Sequence, residues 1–117
     1  MLADSGADEH CVQSADLLSN VEEFSSRRPP EVKLFGAGGD PLPVSCKGVL
    51  NDYIDRVYHV NSLDMNMLST NRLREKDCWF IQPPVSISPD HAGFFFDNQG
   101  KLLLMCNKNL MTDVSLT

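Results

Sequence analysis

Met1-Leu2-Ala3-Asp4-Ser5-Gly6-Ala7-Asp8-Glu9-His10-Cys11-Val12 opens the chain, and the fold turns on how Asp4-Ser5-Gly6-Ala7 is read. One reading is an ordinary Asx-type turn, which an acid followed by Ser and Gly forms readily. The other is a reactive loop. In that case a carboxylate is available to activate water, a hydroxyl bonds across the turn, and Gly stands where the backbone must bend tightly beside a bound chain. Ala7 is then small enough to lie beneath the carboxylate. Asp8 and Glu9 add negative charge nearby, read as solvated loop acids or as groups that recognise a substrate's ends.

Outward from this segment the pattern is mostly β. The polar stretch from Gln13 to Arg28 carries Leu17, Leu18, Val21 and Phe24, a short helical turn or an irregular loop. Pro29-Pro30 ends it, and Glu31-Val32-Lys33-Leu34-Phe35 alternates as a strand does. Gly36-Ala37-Gly38-Gly39-Asp40-Pro41 then makes a turn, and Leu42 to Cys46 alternates on the way back, so the unit is a β-hairpin with a glycine-rich tip. Tyr53 to Val60 reads as a further strand. Met65, Leu68 and Leu73, with Arg72, Arg74, Glu75 and Lys76, predict one short helix capped by Ser69 or Thr70. After it come Cys78-Trp79-Phe80-Ile81, a Pro-rich link, and the segments Phe94-Phe95-Phe96 and Lys101 to Met105. The intervening Asp97-Asn98-Gln99-Gly100 is a hairpin turn.

Composition narrows the function classes. At 117 residues and 42% hydrophobic the chain fits one small domain, of a size that oligomerisation often assists. A net charge of −6 with ten scattered basic residues argues against a nucleic-acid surface. Cys11, Cys46, Cys78 and Cys106 are widely spaced, without a C-x-x-C or a nearby His pair, so the expectation is free buried thiols and no metal site. His10, His59 and His91 share no ligand spacing. No apolar run approaches the roughly 20 residues that span a bilayer, and the amino end lacks the basic and apolar regions of a secretory signal. A reducing, soluble compartment is the resulting expectation.

The ordered set of segments resembles the copia branch of retropepsin-like aspartic proteases, encoded in retrotransposon gag-pol polyproteins. Asp4-Ser5-Gly6-Ala7 is similar to the family's catalytic signature. Gly36 to Gly39 with Pro43-Val44 and Lys47-Gly48-Val49 resembles its flap hairpin. Val57-Tyr58-His59-Val60 followed by Asn66-Met67-Leu68-Ser69-Thr70-Asn71-Arg72-Leu73 resembles its strand and Leu-Leu-Ser-x-x-x-Leu helix, and Phe95-Phe96-Asp97-Asn98-Gln99-Gly100-Lys101-Leu102 its later hairpin. The likeness spans nearly the whole chain, although no single motif is long. One departure concerns the first strand. The family has three or more apolar residues ahead of the catalytic Asp, whereas Leu2-Ala3 after Met1 predicts a short or truncated strand and a weaker dimer.

The resemblance implies an all-β, closed retropepsin-like barrel with a glycine-rich flap, one short helix and a C-terminal β-hairpin extension. Residues 1–77 would be the protease core, with the flap at about 31–50, and 78–117 the extension. It further implies a homodimer that cleaves polyprotein in extended conformation, without metal or organic cofactor and without a nucleic-acid or membrane partner. Asp4 is the expected catalytic carboxylate, Ser5, Gly6 and Ala7 its loop, and Phe35, Gly36, Ala37, Gly38 and Gly39 the substrate-binding flap. Cytoplasmic virus-like particles are the implied location. The competing expectation is an inactive retroelement-derived β domain that serves as an interaction module.

Overall fold

A computed structural model describes residues 2–4, 6–36, 38–107 and 115–116. In chain order its strands are β1 (Leu2–Asp4), β2 (His10–Val12), β3 (Ser19–Glu23), β4 (Leu34–Phe35), β5 (Pro41–Leu42), β6 (Cys46–Val49), β7 (Val57–His59) and β8 (Met67–Ser69). The helix α1 (Thr70–Glu75) follows, then β9 (Trp79–Ile81), β10 (His91–Phe96), β11 (Leu102–Asn107) and β12 (Ser115–Leu116). The fold is all-β with this one short α-helix among the described residues. The chain divides into two compact units, Glu9–Asn66 and Met1–Asp8 with Met67–Thr117.

In the unit Glu9–Asn66, β2 pairs parallel with β7, and β6 joins β7 and β3 antiparallel. Val12, Ile54, Val57, Tyr58 and Val60 are fully buried and form its apolar centre. The strand expected over Tyr53 to Val60 is confined to Val57–His59. Its first half is instead a turn, because the Asn51 carboxamide oxygen accepts from the backbone N–H of Tyr53 at 2.8 Å and of Ile54 at 2.9 Å. Such side-chain bonds offer the backbone an alternative to a ladder. The polar stretch after Gln13 holds a 3-10 turn, Ala15–Leu17, with Ser14 as its cap, and then β3. The hairpin β4–β5 pairs Leu34 with Leu42 and Phe35 with Pro41. It is short because Pro41 and Pro43 donate no hydrogen bond to a ladder.

In the other unit, β1 and β8 run parallel, with Asp4 opposite Ser69. Ser69 caps α1, its hydroxyl accepting from the Arg72 N–H at 3.2 Å, while Leu73 is fully buried. β9 to β12 form an antiparallel sheet in the order β12-β11-β10-β9. The stacked rings of Phe80 and Phe95, 4.4 Å between centroids, lie across its β9–β10 pair. Gly93 fits there because a Cβ atom on it would meet the Phe80 ring. The turn before β11 forms as its sequence predicts: the Asp97 carboxylate accepts from the N–H groups of Gln99 and Lys101, and Gly100 has φ +86°.

The expected closed barrel requires correction. Among the described residues no sheet closes, and β4–β5 forms a two-stranded sheet of its own. The residues of β3 explain an open edge in the first unit. Ser19, Asn20, Val21 and Glu23 are exposed, Asn20 has φ +51°, and the register with β6 shifts between Ser19 and Glu22. Charge and irregularity of this kind discourage further strand pairing.

Candidate active site

Asp4 ends β1 half-buried, and the chain turns at once. The Gly6 N–H donates to Asp4 Oδ1 at 2.7 Å, and the Ala7 N–H approaches the Asp4 carbonyl at 3.4 Å. A Cβ atom on residue 6 would crowd that same Oδ1 at 3.2 Å, so glycine allows the amide its short approach. An amide aimed at one carboxylate oxygen fixes the group's orientation.

The other side of the loop is held by Ser69, the last residue of β8 and the cap of α1, and by Arg72 of α1. Ser69 Oγ donates to the Ala7 carbonyl at 2.7 Å, and Arg72 Nε donates to the Asp8 carbonyl at 2.9 Å. Arg72 Nη1 also meets Glu75 Oε2 at 2.9 Å. These two anchors are what reading the sequence misses. Ser69 is legible as a helix cap, but its second bond joins residues 62 apart, and nothing local to either segment announces it. Ser5 lies outside the described residues.

Of the acids that follow, Asp8 is exposed, whereas Glu9 is buried with Oε2 3.4 Å from Arg56 Nε. The expectation of a solvated acid therefore fails for Glu9. Its side chain points into the unit Glu9–Asn66, where a nearby guanidinium makes the buried charge tolerable.

Within that unit, Phe35, Gly36, Gly38 and Gly39 share the β4–β5 hairpin, and Ala37 lies outside the described residues. Phe35 is 60% exposed. Gly39 has φ +86° and its N–H donates to the Gly36 carbonyl, while the Gly36 N–H donates to the Asp40 carbonyl at 2.8 Å. The hairpin's root is fixed by Glu31. Glu31 Oε1 accepts from Lys47 Nζ at 2.8 Å and from the Tyr58 hydroxyl at 2.7 Å. Those bonds, Lys47's first, hold the Glu31 carboxyl down at about 2. Burial, and then the Glu31 bond, push the Tyr58 phenol up.

His10, His59 and His91 all lie on strands. His59 Nε2 donates to the Gln13 carbonyl at 3.2 Å, and Nδ1 is hydrogen-bonded to the Ser45 hydroxyl. All four cysteines are free and buried, and burial, with Glu9 second, raises the Cys11 thiol to about 11. Among the described residues no three His, Cys, Asp or Glu side chains converge, and no helix is long and apolar enough to cross a membrane. No family model, curated protein or solved structure matches this chain.

Proposed function

We propose that this chain is one subunit of an aspartic endopeptidase of the copia retropepsin type, with Asp4 as the catalytic carboxylate. The observation that carries the reading is the Asp4 loop itself: a half-buried carboxylate held by the Gly6 amide, on a turn whose carbonyls are tied to α1. The ordered likeness of the later segments to that family adds to it.

A pepsin-like mechanism needs two aspartates, and the sequence holds one Asp-Ser-Gly-Ala segment. A two-fold homodimer supplies the second from an identical loop. Two adjacent carboxylates do not both ionise readily, so the pair shares a proton. One acts as base on a water molecule, and its partner as acid toward the scissile carbonyl oxygen. Attack by that water gives a tetrahedral diol, and proton transfer to the amide nitrogen releases the two peptides. No metal or organic cofactor takes part. The titration belongs to the pair, so activity follows a bell-shaped pH profile with its optimum on the acid side of neutral. By the same resemblance the β4–β5 hairpin is the flap that binds an extended peptide backbone, the substrate is a retroelement polyprotein, and the location is a cytoplasmic virus-like particle.

Cleavage of a peptide library by the wild type and by Asp4→Asn tests this reading. The substitution is expected to reduce turnover on the order of 10³-fold while the fold is kept. Equal cleavage by both proteins rejects it.

A second reading, a non-catalytic interaction module, has one observation in its favour. Trp79 is 66% exposed and Ile81 48%, and with Phe96, Asp97 and Gly100 they line an open, mostly apolar groove of about 330 Å³. Sustained binding of a partner by Asp4→Asn, with no cleavage by either protein, is its expected outcome.

A further inference from the structure

We infer that Ser69 is a positioning residue for Asp4, with Arg72 as its second support, so that the first turn of α1 sets the orientation of the catalytic carboxylate. This rests on the proteolytic reading of the Asp4 loop.

Ser69 is fully buried, and its hydroxyl works in both directions. The proton is donated to the Ala7 carbonyl, and a lone pair accepts the Arg72 N–H. One oxygen atom thus closes the start of α1 and pins the loop. Arg72, one turn further, holds the next carbonyl, that of Asp8. The loop is clamped through successive carbonyls on its helix side, while the amides of Gly6 and Ala7 turn back upon Asp4. With β1 ending at Asp4 and the carbonyls at 7 and 8 held, few residues lie between the two fixed points, so the conformations open to the amide that orients Asp4 Oδ1 are restricted. Backbone register adds to the effect, because Asp4 on β1 lies directly opposite Ser69 on β8.

A carboxylate that must share a proton with a partner tolerates little misorientation, and small displacements of reacting groups are costly in rate. Loss of the Ser69 hydroxyl frees the Ala7 carbonyl and loosens the turn without touching anything that contacts substrate. Its effect therefore falls on kcat and not on KM.

Steady-state cleavage is measured for wild type, Ser69→Ala, Ser69→Thr, Arg72→Ala and Asp4→Asn, with circular dichroism on each. Ser69→Ala is expected to lower kcat about tenfold with KM within about twofold, and Ser69→Thr, which keeps the hydroxyl, to recover to within about threefold of wild type. A folded Ser69→Ala with wild-type kcat overturns the inference, as does a folded Ser69→Thr as impaired as Ser69→Ala. Should Ser69→Ala not fold at the assay temperature, Arg72→Ala decides: a lowered kcat at constant KM supports the clamp, and an unchanged kcat overturns it. Asp4→Asn separates the two levels. Full activity there removes the protease reading itself, whereas an inactive Asp4→Asn beside a fully active Ser69→Ala removes only this inference.

Discussion

Gly93 shows how strictly one position is set by its neighbours. The Phe80 ring lies where a Cβ atom would stand, and it is stacked on the fully buried Phe95, so making room for the atom disturbs that stack. Gly93→Ala is expected to cost about 2 kcal/mol through overpacking, a fall of about 8 °C in Tm for a protein of this size. Thermal unfolding of the variant checks this, and an unchanged Tm contradicts the packing described for β9 and β10. The sequence offers no warning, because an isolated glycine before three phenylalanines reads as an ordinary break. The tight turn at Asp4 was legible as a turn because an acid followed by Ser and Gly forms one readily. Ser69's hold on Ala7 was not, since it depends on a parallel pairing between segments far apart in sequence.

Elements whose boundaries are decided by local chemistry were the readable ones. The Ser69 cap fixes the start of α1, and Asp97 with Gly100 fixes the β10–β11 turn, both as their residues predict. β3 was missed because its five residues carry no apolar alternation, being mostly exposed along an edge. The strand over Tyr53 to Val60 was overestimated because Asn51 captures two amides ahead of β7.

The β4–β5 hairpin carries a prediction at this scale. Glu31 anchors its root through Lys47 and Tyr58, and its carboxyl lies near 2, against an ordinary value of 4.5. A depressed carboxyl stabilises the fold above its unfolded value, and that stabilisation is lost as pH falls from about 4.5 toward 2. Glu31 is half-exposed, with 48% of its side chain open to solvent, so solvent screening holds the contribution to about 1 kcal/mol. Glu31→Gln is therefore expected to melt about 4 °C below wild type at neutral pH, with the gap closing as pH falls through that window. A gap that is constant with pH contradicts the assignment.

For the whole molecule, the central claim is that one chain carries half of an active site. Dissociation should then abolish activity, so specific activity is expected to fall on dilution in step with the loss of dimer seen by sedimentation. Activity that stays proportional to a monomer population contradicts the claim.

The most direct measurement mixes wild-type chains with Asp4→Asn chains at a fixed total concentration, allows subunits to exchange, and follows peptide cleavage. If each site needs an Asp4 from both of its chains, activity falls as the square of the wild-type fraction, to about a quarter at equal proportions. Activity that falls linearly, to about a half, would mean that each chain carries its own complete site, and the shared carboxylate pair would be wrong.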